Sequence, residues 1–227
     1  MGSRAILIGN SDGIGLAATR RLLEAGWDIM GVSKSDSPVT ETAYYHRIAD
    51  VSGKEFPGLL EEIVHKGPVD LCIYFAGIGE RLDPLDMSGE AKIIDVNLTG
   101  MVKTAAAVIP AMVKRRGGHF IGVSSFADEL LSGEAPSYHA SKAGFSNYLE
   151  GLALALRSRG VQVTNLRFGF VDTKMARGDV KPMMMSVDKA VDHLESCMRN
   201  RPARYSAPRM AIPLVKFRRL MMSLGAH

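Results

Sequence analysis

A chain of 227 residues, 46% hydrophobic and 23% charged, has room for one domain with a substantial core and the make-up of a soluble globular protein. Its two cysteines, Cys72 and Cys197, stand far apart without metal-ligand spacing, so neither a disulfide framework nor a metal site is expected, and a reducing cytoplasm suits it. The net charge of +4 is uneven: Arg199 to His227 holds seven Lys/Arg and no Asp or Glu.

In chain order, short apolar β-branched runs predict strands at 4–8, 27–32, 43–49, 69–75, 119–124, 161–168 and 203–207. Helical patterns fall between them at 13–25, 53–66, 89–115, 137–159 and 187–200. Alternation of this kind implies right-handed crossovers and a parallel sheet covered on both faces. The expected fold is therefore a single α/β domain over 1–227, a doubly wound parallel sheet with helices on both faces. Residues 4–8 run straight from the start into a strand, so no signal peptide is expected, and no apolar stretch is read as long enough to span a bilayer. Cys72 lies in the apolar run Val69 to Phe75 and reads as a buried strand thiol.

The first strand leads into Gly9-Asn-Ser-Asp-Gly13-Ile-Gly15 and then a helix. A helix N-terminus presents unpaired N–H groups and a positive dipole end to phosphate, and glycines let backbone approach a pyrophosphate closely. Past the second strand, Gly31-Val-Ser33-Lys34 offers a hydroxyl and a cation where a carboxylate would accept from a free ribose 2′-OH. That pair suits a 2′-phosphate and argues for NADP over NAD. Asp12 opposes it by charge, and Lys34 is equally readable as a solvated loop lysine. Asp50-Val51 closes the third strand, where a carboxylate can accept from an adenine amino group. Asn97, a polar amide amid apolar neighbours, must find partners if buried. It either satisfies backbone where the helix bends or holds a water in a proton relay, and the two roles are compatible.

Tyr138-His-Ala-Ser-Lys142 puts a phenol and an ammonium one helical turn apart. A nearby cation favours phenolate, so the Tyr138 pKa is expected to fall toward neutrality, making it a general acid or base. Ser125 lies 13 positions upstream at the end of a strand run. His139 faces elsewhere on the helix and reads as structural.

Together, Gly9-x-x-x-Gly13-Ile-Gly15, Asn97, Ser125 and Tyr138-x-x-x-Lys142 resemble the short-chain dehydrogenase/reductase family, over about Arg4 to Thr173. The resemblance implies a Rossmann-type fold and a nicotinamide cofactor, with Asn97, Ser125, Tyr138 and Lys142 catalytic. Tyr138 would exchange the substrate proton and Ser125 would bind the substrate oxygen. Lys142 would lower the tyrosine pKa and hold the nicotinamide ribose, and Asn97 would hold the relay water. Cofactor contacts are expected from Gly9, Ser11, Asp12, Gly13, Ile14, Gly15, Ser33, Lys34, Asp50, Val51, Ala76, Gly77, Asn97, Tyr138 and Lys142. Gly169, Val171 and Thr173 of Phe168-Gly169-Phe-Val171-Asp-Thr173 join them, matching the family's Pro-Gly segment with Phe for proline. Substrate contacts are expected from Ser125, Phe126 and Phe170.

Departures from the pattern are Ile8 for the threonine before the first glycine, and Tyr74-Phe75-Ala76-Gly77 for Asn-Asn-Ala-Gly. The usual C-terminal Asp-Gly-Gly segment is absent, which favours a homodimer through the long helices over a tetramer. Core packing alone also explains the small residues Ala105-Ala-Ala107 and Gly151-Leu-Ala-Leu-Ala155. The implied activity is hydride transfer between NADP(H) and a carbonyl or alcohol, in the reducing direction if NADP is used. The altered bracing motif leaves a non-catalytic NADP(H) sensor or scaffold as the alternative. Phe126, Leu130, Leu131, Phe170 and Lys181-Pro-Met-Met-Met185 suggest an apolar substrate pocket, or a lid packed on the domain. The basic segment of about 208–227 reads either as a terminal helix packed on the domain or as a peripheral contact to an anionic membrane. Nucleic-acid binding has no motif beyond that segment and is not expected.

Overall fold

In the computed structural model, which describes residues 2–176 and 183–224, every expected strand joins one sheet. These are β1 (Arg4–Ile8), β2 (Asp28–Ser33), β3 (Tyr44–Ile48), β4 (Leu71–Tyr74), β5 (His119–Ser125), β6 (Gln162–Phe168) and β7 (Arg204–Ala207). They are all parallel, in the order β3-β2-β1-β4-β5-β6-β7. The helices are α1 (Gly13–Glu24), α2 (Phe56–His65), α3 (Glu90–Ile94), α4 (Gly100–Lys114), α5 (Pro136–Leu156), α6 (Val187–Asn200) and α7 (Ile212–Ser223).

Both faces of the sheet are covered, which is why β1 and β4 read as unbroken apolar runs rather than as alternation. Ile6 and Ile8 of β1 pack with Phe56 and Leu60 of α2, Met101 and Val108 of α4, and Phe145 of α5. Ala5 and Leu7, facing the other way, pack with Ala18 and Leu22 of α1 and Val191 and Leu194 of α6. Cys72 and Cys197 are buried free thiols, one in each layer.

Three helices depart from their expected bounds, and in one of them, α5, the last three expected residues, Arg157–Arg159, wind as a 3₁₀ turn. α2 starts at Phe56 rather than 53 because Pro57, lacking an N–H, fits the first turn where none is needed. The expected helix 89–115 is interrupted by a π-helical turn, Asp95–Thr99, between α3 and α4. The combined run Glu90–Lys114 is long and apolar enough to cross a membrane by length and composition, contrary to the expectation that nothing is. Half of its apolar window is buried in the protein, as the core helix of a doubly covered sheet requires.

Chain order and strand order part company at β1, whose neighbours are β2 on one side and β4 on the other. The carboxyl ends of β1 and β4 therefore flank the crevice where such sheets take their ligands.

Candidate active site

At the end of β1, Gly9 adopts φ +81°, and a Cβ there would lie 2.5 Å from the Ala76 backbone nitrogen. Only glycine lets the loops after β1 and β4 leave the sheet side by side. A Cβ on Gly15 would lie 2.5 Å from the Gly9 carbonyl, so the first turn of α1 rests directly on the loop. Asp12 caps that turn, accepting the Gly13 N–H at 2.8 Å, and pairs with Lys174 at 2.5 Å. Gly13 faces Thr173. The helix N-terminus is thus enclosed between the glycine loop and Val171–Lys174, with a lysine cation over it, and these groups fit an anionic diphosphate. No local pattern in the sequence marks Lys174, because its partner is 162 positions away.

Ser33 and Lys34 separate here. The Ser33 side chain is buried, donating to Asn10 Oδ1 (3.1 Å) and accepting the Asn10 N–H (3.0 Å). It braces the loop rather than facing a ligand, because the last residue of β2 turns its side chain into the sheet interior. Asn10, itself fully buried, also donates to Thr19 (2.9 Å) and Tyr44 (3.0 Å). A polar residue placed between loop glycines was the signal for this bracing role. Lys34 is exposed, 3.6 Å from Asp50, with Lys92 on the same carboxylate oxygen at 3.5 Å. The Ser52 hydroxyl and N–H (2.6 and 2.9 Å), helped by those two cations, hold Asp50 down to about 2. Val51 is buried in the core, its side chain against Gly100.

The π turn places Asn97. Its Oδ1 accepts the Ile78 N–H (2.8 Å) and its Nδ2 donates to the Ile78 carbonyl (2.9 Å) and to Ser141 Oγ (3.0 Å). Asn97 therefore satisfies backbone where the helix changes its winding, one of its two expected roles. The same turn directs the Val96 carbonyl at the Tyr74 phenol, which donates to it at 2.5 Å. Gly100 leaves the room, since a Cβ there would lie 2.5 Å from that hydroxyl. Tyr74, a departure from the family pattern, thus contributes a polar brace of its own.

Tyr138 and Lys142 lie one turn apart on α5, as their spacing requires, with Ser125 at the end of β5 near enough to the phenol to favour its ionised form. Gly79 packs against the Tyr138 ring, where a Cβ would come within 3.1 Å. The Lys142 ammonium is buried; it donates to the Val123 carbonyl (3.2 Å) and stands 4.9 Å from the Phe145 ring centroid and 5.9 Å from that of Tyr138. Burial brings the lysine down to about 8. The expected lowering of Tyr138 does not follow: burial pushes the phenol above its ordinary value, with Ser125 opposing and Asp128 adding to the rise. The lysine's hydrogen bond is spent on a carbonyl, and desolvation is the larger influence on both groups. One of three ammonium donors is engaged, so Lys142 has capacity for a ribose hydroxyl, and Gly77 lies beside it and Asn97.

Behind Ser125 is a charged cluster whose members lie far apart in the sequence. Arg167 of β6 is buried, reaching Asp128 at 2.6 Å through Nε and at 2.5 Å through its terminal nitrogen, and Glu129 at 2.7 Å. Ser146 donates to Asp128 at 2.6 Å, and Arg204 pairs with Glu129 at 2.5 Å. A charge within a doubly covered strand must be paired, and that was the available signal.

Of the expected substrate contacts, Phe126 is buried against Ala211 and Val215, so it anchors the segment leading into α7. Phe170 is half exposed. Met185 packs in the core and bonds backbone to Phe170 (2.9 Å), while Met183 is exposed. Lys181 and Pro182 lie outside the described residues. Among the described residues no group of His, Cys, Asp and Glu could hold a metal ion.

The family model for short chain dehydrogenase matches residues 3–183. An uncharacterized oxidoreductase of Myxococcus xanthus is 37% identical over 153 residues, 65% of this chain and 60% of that protein. The 3-oxoacyl-(acyl-carrier-protein) reductase FabG of Escherichia coli is 30% identical over 189 residues, 78% of this chain and 76% of the reductase. A short chain dehydrogenase from Burkholderia cenocepacia, solved in complex with NADP, matches with TM-score 0.87 and 23% identity over 98% of this chain and 97% of its own. One from Sphingobium yanoikuyae, in complex with NADPH, matches with TM-score 0.81 and 23% identity over 97% and 95%. With most of its length matched by the family and a FabG relative covering three-quarters of it, the chain belongs to the short chain dehydrogenase family of oxidoreductases.

Proposed function

We propose that this oxidoreductase reduces a carbonyl substrate with NADPH, with Tyr138 as the proton donor. The observation that carries the reading is the convergence of Ser125, Tyr138 and Lys142 at the strand ends, beside a glycine loop and a capped helix N-terminus. The nicotinamide, when bound, supplies the hydride. Tyr138, kept a neutral phenol by burial, holds the proton that the reduced oxygen needs, and Ser125 donates a second hydrogen bond to that oxygen. Lys142 binds the ribose and, as an ammonium near the phenol ring, favours the phenolate left after transfer. Asn97 fixes the loop through Ile78 and holds the relay water on its backbone side.

The diphosphate rests on Gly9, Ser11, Gly13, Ile14 and Gly15, with Lys174 joining them when Asp12 releases it. Asp50 and Val51 face the adenine, and Ala76, Gly77, Gly169, Val171 and Thr173 line the nicotinamide end. Lys34 reads the 2′-phosphate, its ammonium leaving Asp50 to do so, and Lys92 stays on that carboxylate. Carbonyl reduction accords with the FabG relatives, which are 3-oxoacyl-(acyl-carrier-protein) reductases, and an NADP cofactor with the two structural neighbours solved with NADP or NADPH. One domain over 1–227 carries both sites, and we place it in the cytoplasm as a homodimer through α4 and α5, whose Leu154 is exposed.

The test is to titrate the purified protein with NADPH and NADH by nicotinamide fluorescence, then add a panel of aldehydes and ketones to wild type and Tyr138→Phe. Expected are tighter NADPH binding, turnover by wild type, and a loss of about 10²-fold or more in kcat for the variant with cofactor affinity kept. Full activity in the variant refutes the proton-donor role. Binding without turnover favours a sensor.

A further inference from the structure

α7 buries one side and leaves the other in water. Ile212 and Val215 pack with Phe126 and Leu130, and Arg219 reaches Glu129 at 3.9 Å, so this side is spoken for by the domain. Successive helical residues turn by about 100°, which puts Leu214, Phe217, Met221 and Leu224 within an arc of about 80° on the opposite side. They are exposed by 49%, 59%, 36% and 71%. On the same wheel Arg218 follows about 40° beyond one end of this arc and exposed Leu220 about 40° beyond the other, with exposed Lys216 a further 40° round, beside Glu129 and Arg219; Arg209 stands exposed just before the helix. The segment Arg199–His227 contains no carboxylate side chain.

We propose that this outward face of α7 docks the protein on an anionic lipid bilayer, the four apolar side chains entering the headgroup boundary and Lys216, Arg218 and Arg209 contacting lipid phosphates. An apolar arc edged by cations is what an interfacial helix presents, long basic side chains reaching outward past the apolar stripe. Charge decides against a second copy of the chain: pairing α7 with itself would bring like charges together with no carboxylate on the element to answer them. Each cation near an anionic surface strengthens binding about fivefold, and the gain is screened by salt.

The test is sedimentation of the full chain with vesicles of phosphatidylcholine alone and of phosphatidylcholine with 30% phosphatidylglycerol, at low and high salt. Expected is binding to the anionic vesicles that weakens at least tenfold at high salt, with little on the neutral ones. Phe217→Asp/Met221→Asp should reduce it at least tenfold while the melting temperature in solution stays put, and Lys216→Glu/Arg218→Glu should remove its salt dependence. No binding to anionic vesicles at low salt, or equal binding by wild type and both variants, overturns the proposal. So does a drop in oligomer size by light scattering in Phe217→Asp/Met221→Asp without any vesicle binding, which would make the face a contact between copies.

Discussion

Replacing Lys142 by methionine should make the unliganded protein more stable while disabling it. The ammonium is buried with one carbonyl acceptor, and burial brings its pKa from 10.5 to about 8. A shift of that size means the fold holds the charged form at a cost of roughly 3 kcal/mol. Methionine has similar reach without the charge. Losing the bond to Val123 takes back about 1 kcal/mol, leaving a net gain of about 2 kcal/mol at pH 7. For a chain of this size that raises the melting temperature by about 4 to 8 °C.

The sign of the pH dependence follows from linkage. Between about pH 8 and 10.5 the unfolded chain keeps a proton that native Lys142 has shed, so wild-type stability rises with pH across that window. The variant has no such group, and the gap between the two should close by about pH 10. Other titrating groups are common to both chains and cancel in the difference. Thermal melts of both proteins from pH 6.5 to 10 measure it. A methionine variant that melts below wild type at pH 7, or a gap that stays constant with pH, would falsify the desolvation argument. The carbonyl reduction we propose should fall by about 10²-fold or more in the same variant, a loss of function set against a gain in stability.

Arg167→Met leaves Asp128 and Glu129 buried without their central cation, and should cost about 3 to 5 kcal/mol in denaturant unfolding at pH 7, with Arg167→Lys intermediate because it cannot bridge both carboxylates in the same way. Tyr74→Phe strands the Val96 carbonyl in the π turn and should cost about 1 to 3 kcal/mol; an unchanged unfolding midpoint would show that this carbonyl needs no partner. Lys34→Glu should weaken NADPH binding at least tenfold in calorimetry and leave NADH nearly untouched, whereas equal losses for both would remove Lys34 as the phosphate reader.

Much of this was legible in the sequence because it depends on local repeats. Strands and helices alternate with periods that the side chains themselves display, so element order and the parallel sheet followed from hydrophobic patterning. The Tyr138–Lys142 pairing followed from helical pitch, and the glycine loop from the backbone freedom its turn requires. The interruption at Asp95–Thr99 did not, since nothing in Asp-Val-Asn-Leu-Thr forbids an ordinary helix; it is set by partners at Tyr74 and Ile78, about 20 positions away.

What escaped was the direction of individual side chains and the sign of electrostatic effects that depend on burial. Ser33 and Lys34 are neighbours at a strand end, and alternation across the pleat sends one inward to Asn10 and leaves the other in solvent. Phe126 follows Ser125 directly, yet the 3₁₀ turn after β5 carries its ring under α7. The spacing of Tyr138 and Lys142 says that a cation is near a phenol, but not that both are taken out of water. Once they are, desolvation raises the phenol and lowers the amine, the reverse of what proximity alone implies for the tyrosine. The two statements are compatible if burial sets the resting state and the cation acts when charge develops. A neutral phenol is the form that can donate a proton, and an ammonium held close is what favours the phenolate left behind. On the mechanism we propose, the stability that the fold gives up to bury Lys142 is tied to the one step in which that charge is needed.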